Sequence, residues 1–136
     1  MTSSEDGPHP HTLAREQALE ALYQADMRVV ADPAGGLGGI ARRYVEGVSA
    51  DREGLDLRIG SVAEGWPVHR MPVVDRTILR LALYEFLHER TPTAVVIDEA
   101  VELAKRYSTK ESGAFVNGVL VTLADQVRPG GIVDSE

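Results

Sequence analysis

The stretch Pro72-Val73-Val74-Asp75-Arg76-Thr77-Ile78-Leu79-Arg80-Leu81-Ala82-Leu83-Tyr84-Glu85-Phe86-Leu87 decides the fold. Pro72 is pre-set for a first helical turn, and Asp75 falls where the positive end of the helix dipole favours a carboxylate. The body that follows is apolar on most of its circumference. Only Arg76, Arg80, Glu85 and, just beyond, Glu89 are left for solvent, so the pattern predicts a central helix covered on most sides.

Downstream, Arg90-Thr91-Pro92 restarts a helix over Thr93 to Tyr107. Ile97, Ala100, Val101 and Ala104 share one face, opposite Asp98, Glu102, Lys105 and Arg106, with Glu102 and Arg106 spaced as an i,i+4 ion pair. Ser108-Thr109-Lys110-Glu111 has the spacing of a capping box. After it, Val116, Val119, Leu120, Leu123 and Val127 form a stripe that ends before Pro129. Upstream, Leu13, Ala14, Ala18, Leu19, Leu22 and Ala25 recur at helical steps to Met27, with Thr12 as N-cap. Residues 31–39 carry a proline and four glycines and break that helix. A second helix is expected over Ile40 to Val48. A third begins near Ser49-Ala50-Asp51, carries Leu55, Ile59 and Val62, and stops at Gly65-Trp66-Pro67, where Trp66 offers an apolar anchor. No segment alternates at period two long enough for a sheet, so the fold class is all-α, with about six helices.

Composition narrows the function. The 136 residues are 43% hydrophobic and suffice for one compact core, and the lack of any cysteine excludes disulfides, thiolate nucleophiles and Cys-type metal sites. The chain suits a reducing cytoplasm. Its N-terminus lacks the basic and apolar parts of a secretory signal, and Arg80 and Glu85 interrupt the longest apolar run, which is too short to span a bilayer. A net charge of −7 disfavours nucleic-acid binding by bulk charge, so any RNA contact must be local or shared with a partner.

Individual residues add little catalytic chemistry. His9-Pro10-His11 has no further ligands at defined spacing for a metal. Asp98, Glu99 and Glu102 lack the Glu-x-x-His pattern of a di-metal bundle, and Gly35 to Gly39 lacks the Gly-Lys-Ser/Thr ending of a phosphate loop. No catalytic residue, metal or cofactor is expected. Phe115 is more informative because it sits at the margin of its apolar stripe. Its ring either covers the bundle edge or stacks on an unpaired base while Lys110 and Ser112 meet phosphate.

Four blocks carry a resemblance: Ala14-Arg15-Glu16-x-Ala18-Leu19-x-Ala21-Leu22-Tyr23, Val74-Asp75-Arg76-x-Ile78-Leu79-Arg80-x-Ala82-x-Tyr84-Glu85, Ile97-Asp98-Glu99-Ala100-x-Glu102-Leu103-Ala104-Lys105 and Phe115-Val116-Asn117-Gly118-Val119-Leu120. In this order and spacing they resemble the NusB family of bacterial transcription antitermination factors. The resemblance implies two packed helical bundles, about 12–66 and 71–128, with polar tails at 1–11 and 129–136. It also implies a non-enzymatic role: binding boxA RNA of ribosomal RNA leaders with the ribosomal protein NusE, so that RNA polymerase reads through terminators. It places Arg15, Lys110, Glu111, Ser112 and Phe115 on the RNA face, with Phe115 stacking and Arg15 meeting phosphate. Asp75 and Arg76 fall on the NusE surface, and a homodimer that hides the RNA face is compatible with it. The family's arginine-rich helix head is replaced here by Gly7-Pro8-His9-Pro10-His11-Thr12-Leu13. That departure allows a second reading, a scaffold that binds NusE with little RNA affinity of its own.

Overall fold

The computed structural model describes residues 10–27 and 32–130. His9, part of the expected break after the first helix and most of the expected C-terminal tail lie outside them. The described residues form six α-helices and one 3-10 turn: α1 (Pro10–Asp26), α2 (Gly39–Ala50), α3 (Arg52–Val62), the turn Val68–Arg70, α4 (Val73–His88), α5 (Thr93–Tyr107) and α6 (Lys110–Val127). The all-α expectation holds, and α5 falls on its expected limits. The first helix starts two residues ahead of Thr12, at Pro10, which fits a first turn because its missing N–H would have no intrahelical partner.

Helix α4 packs against all five other helices. Its Ile78, Leu79 and Leu83 are fully buried, together with Tyr44 and Val45 of α2, Leu55 and Ile59 of α3, and Val116, Leu120 and Leu123 of α6. Because α4 is enclosed, two of the charges expected at its surface are also inside. Arg80 and Glu85 are 5% and 1% exposed. Each is tolerated there because it is paired: Arg80 donates to both carboxylate oxygens of Asp56 at 2.7 and 2.9 Å, and Glu85 accepts two bonds from Arg15 of α1 at 2.7 and 2.8 Å.

Asp26 closes the end of α1 by accepting from Arg52, Arg76 and Arg80 at 3.0, 2.9 and 3.2 Å. Burial alone would raise its pKa, but the bond from Arg76 and the charges of Arg76, Arg52 and Arg80 outweigh it and hold the carboxyl below its ordinary value. A carboxyl depressed in the folded state contributes stability that is present above its unfolded pKa and disappears as pH falls through the folded one. Asp26→Asn is therefore expected to be less stable than the native chain at neutral pH, with the gap closing below about pH 4. Urea midpoints measured across that range check this, and a pH-independent gap would refute it.

Two helical glycines have opposite surroundings. A Cβ on Gly47 of α2 would overlap the Tyr84 ring, which itself meets the Tyr44 ring edge-on at 5.6 Å. A Cβ on Gly118 of α6 would meet nothing within 4 Å. Gly118→Ala is expected to stabilise by about 0.5–1 kcal/mol through helix propensity. Gly47→Ala is expected to destabilise by about 2 kcal/mol, because the aromatic pair must move. Urea denaturation of both variants should give opposite signs; equal signs would contradict the packing.

Candidate nucleic-acid interface

Two short segments build the candidate site, the head of α6 and the turn after α3. Helix α6 begins at Lys110, and its cap is Thr109, whose hydroxyl accepts from the Ser112 N–H at 3.0 Å. The expected box was placed one residue early; Ser108 instead shares a hydroxyl–hydroxyl bond of 2.9 Å with Ser112. The Ser112 hydroxyl in turn donates to Asp75 Oδ2 at 2.8 Å, which ties the head of α6 to the head of α4.

That bond corrects two expectations. Ser112 and Asp75 are 6% and 1% exposed, so Ser112 does not face a phosphate and Asp75 does not reach a partner's arginine from where it stands. Asp75 Oδ1 is buried with no hydrogen-bond partner. Arg76 is likewise committed: its guanidinium donates to Asp26 at 2.9 Å and to the His69 carbonyl at 3.1 Å.

Arg15 requires the largest correction. It is 3% exposed and held between α1, α4 and α5, with both arms on Glu85 and a further approach to Glu99 at 3.7 Å. Burial opposes its charge, yet the bond and the charge of Glu85 raise the guanidinium pKa above its ordinary value. Tyr44 extends the cluster, its hydroxyl donating to Glu85 at 3.4 Å and lying 3.1 Å from His11 Nδ1. Burial and the neighbouring Glu85 push that phenol up. Arg15 is thus a core ion pair and not a phosphate contact.

Lys110, Glu111 and Phe115 remain together on the first two turns of α6. Lys110 and Glu111 are exposed, and Phe115 is half-buried. The Phe115 ring lies against Trp66, centroid to centroid 4.6 Å and tilted by 51°. Trp66 is 37% exposed, so the apolar anchor expected there is a surface pair with Phe115. Gly65 at φ +77° sets the turn, and the Trp66 N–H donates to the Ala63 carbonyl at 3.1 Å.

Two depressions flank the core. One, of about 770 Å³, is lined by Arg15, Arg43, His88, Glu89 and Arg90 among others. Two of its cations are paired, Arg43 bidentate on Glu89 at 2.9 Å and Arg15 on Glu85, while Arg90 is exposed. The other, of about 640 Å³, runs along α1 and is lined by Leu13, Tyr23, Val74 and Tyr107 with Glu16 and Glu20. Leu13 and Tyr107 are 44% and 49% exposed. Arg106 reaches Glu16 beside it at 2.9 Å, in place of the expected i,i+4 partner Glu102. Spacing along one helix could not reveal a pairing between α5 and α1.

Among the described residues no three His, Cys, Asp or Glu side chains are grouped to hold a metal, and no helix is long and apolar enough to cross a membrane.

Comparison with known proteins gives concordant matches. The sequence model of the NusB family matches residues 12–125. The transcription antitermination protein NusB of Rubrobacter xylanophilus is 48% identical over 126 residues, covering 84% of this chain and 89% of the relative. The solved structure of T. maritima NusB superposes with a TM-score of 0.81 at 37% identity, over 90% of this chain and 95% of that one. A chain in a crystal structure of the antitermination factors NusB and NusE with double-stranded RNA shares the fold, with a TM-score of 0.74 at 24% identity over 85% of this chain and 96% of that one.

Proposed function

From the premise that this chain belongs to the NusB family, we propose that it acts as a transcription antitermination factor, binding boxA RNA of ribosomal RNA leaders together with the ribosomal protein NusE so that RNA polymerase reads through terminators. The role is one of binding, without catalysis, in the cytoplasm. The observation that carries the RNA part is the half-exposed Phe115 on the first turns of α6, beside exposed Lys110.

The surface chemistry favours stacking over charge. Net charge is −7, Arg15 is internal, and Glu111 lies one turn before Phe115. Each phosphate contact on single strands contributes about −0.7 to the slope of log affinity against log salt. With Lys110 as the principal cation of the α6 head, we expect a slope shallower than about −2 for this protein alone. Phe115→Ala is expected to weaken RNA binding by about 1–3 kcal/mol with helicity retained.

For NusE, the groove of Leu13, Tyr23, Val74 and Tyr107 replaces the expected Asp75 and Arg76 as the docking surface. It combines exposed apolar side chains with the carboxylates of Glu16 and Glu20, which suits a basic ribosomal protein. Asp75 and Arg76 follow Val74 of this groove in the chain and are themselves committed to Ser112 and Asp26.

The test is fluorescence anisotropy of a labelled boxA RNA titrated with the protein, with and without NusE, over a salt series. Binding that tightens with NusE and weakens in Phe115→Ala supports the reading. Binding of NusE with no RNA association under any condition would replace it with the scaffold reading that the arginine-poor helix head suggested.

A further inference from the structure

The turn Trp66-Pro67-Val68-His69-Arg70 has no role in the site as derived from the sequence, yet it lies against the one α6 residue given a stacking role. Trp66 touches Phe115, and the 3-10 turn Val68–Arg70 follows directly, with His69 and Arg70 both exposed in it. Arg70, like Arg58 and Arg90, has no ion pair to another described residue, whereas Arg42, Arg43, Arg52, Arg76, Arg80 and Arg106 are paired; of the three it alone lies in this turn.

We infer that this turn is the second half of the RNA face: Trp66 stacks an unpaired base beside the one on Phe115, and Arg70 meets the adjoining phosphate. The inference rests on the RNA-binding reading above and assigns two further residues to it.

Three features carry it. First, the segment is ordered before any ligand arrives. Gly65 holds the left-handed turn, the Trp66 N–H is bonded to Ala63, and the Arg70 and Met71 N–H groups donate to the Pro67 and Val68 carbonyls at 2.9 and 3.0 Å. Little conformational entropy is therefore lost when a base lands on the ring. Second, Gly118, one turn beyond Phe115 on α6, has no side chain, and a Cβ there would meet nothing within 4 Å, so no bulk is added on that turn of the helix. Third, Arg70 follows Trp66 by only four residues in the chain, and aromatic rings combined with an unpaired cation are what sequence-tolerant single-strand binding uses, because every base has a π-face and every nucleotide a phosphate. The acidic total of the chain makes such local provision necessary.

The experiment uses the full chain and a single-stranded boxA RNA of about 12 nucleotides. Trp66 is the only tryptophan, so its emission reports on this position alone. RNA is expected to quench that emission with the same midpoint that anisotropy gives. Trp66→Ala is expected to weaken binding about 10-fold and Trp66→Phe less than about 3-fold, since the smaller ring still stacks. Arg70→Ala is expected to reduce the salt slope by about 0.7 without changing the emission change at saturation. The unmutated protein's quenching, with Trp66→Phe, decides the matter even if Trp66→Ala disturbs folding. RNA that binds by anisotropy while Trp66 emission stays constant and Trp66→Ala binds normally would overturn the inference and leave the RNA-binding reading intact. RNA that fails to bind, alone or with NusE, would overturn both.

Discussion

Arg15→Ala is expected to cost about 3–5 kcal/mol of stability, because it leaves the Glu85 carboxyl, 1% exposed, without its partner in the interior. The native pair has near-ideal bidentate geometry at 2.7 and 2.8 Å, so the mutation removes two charge-assisted bonds at once. Tyr44 could still offer its hydroxyl to Glu85, but at 3.4 Å and shared with His11 it cannot neutralise a carboxylate. The double variant Arg15→Met with Glu85→Leu should recover most of the loss, since replacing both members by apolar groups of similar volume is often nearly neutral. Urea denaturation of the two singles and the double measures the coupling. If Arg15 were a phosphate contact, Arg15→Ala would fold with native stability and lose RNA affinity instead. A stability loss below about 1 kcal/mol would therefore return Arg15 to the surface.

The contrast between Arg15 and Phe115 shows where sequence reasoning works here. Helical periodicity located α4, α5 and α6 because their apolar positions repeat over four or more turns. It also put Phe115 at the edge of its stripe, and the ring is half-buried there. Periodicity says nothing about charges on a helix surrounded by others. Arg80 and Glu85 occupy the polar positions of α4, but α1 and α3 cover those positions and supply Arg15 and Asp56 as partners. The same limit hid the Arg106–Glu16 pair, which joins residues far apart in sequence. Asp75 looked accessible at a helix head, and only the crossing of α6 over that head, seen in the Ser112 bond, encloses it. The cap was missed by one residue because Ser108 and Thr109 have similar capping chemistry. Trp66 gave a usable signal, a large ring between Gly65 and Pro67, but nothing in the sequence indicated that it would meet Phe115.

Arg128, the residue just past α6, had no visible signal at all, and its removal is expected to be as damaging as that of Arg15. Its guanidinium lies under the end of α4 and is 7% exposed. Nε donates to the Phe86 carbonyl at 2.9 Å, Nη2 to those of Glu85 and Glu89 at 3.1 and 2.9 Å, and Nη1 to Thr91 O and Thr93 Oγ1 at 2.7 and 3.0 Å. The last carbonyls of a helix are short of intrahelical donors, and although Glu85 O also takes the Glu89 N–H at 3.0 Å, one side chain here supplies the end of α4 and fixes the link into α5. It also stacks over the Phe86 ring at 5.3 Å. Arg128→Ala should cost about 3 kcal/mol or more, because bonds from a charged donor contribute roughly 1.5–3 kcal/mol each and several are lost together without adding fully. Arg128→Lys should rescue little, since a single ammonium cannot span acceptors arranged around a planar fork. Near-native urea stability of Arg128→Lys would show that charge alone suffices at the helix end. Equal losses in the two variants would show that the fork geometry holds α4 to α5, and through α5 and α6 the surface on which Phe115 is presented.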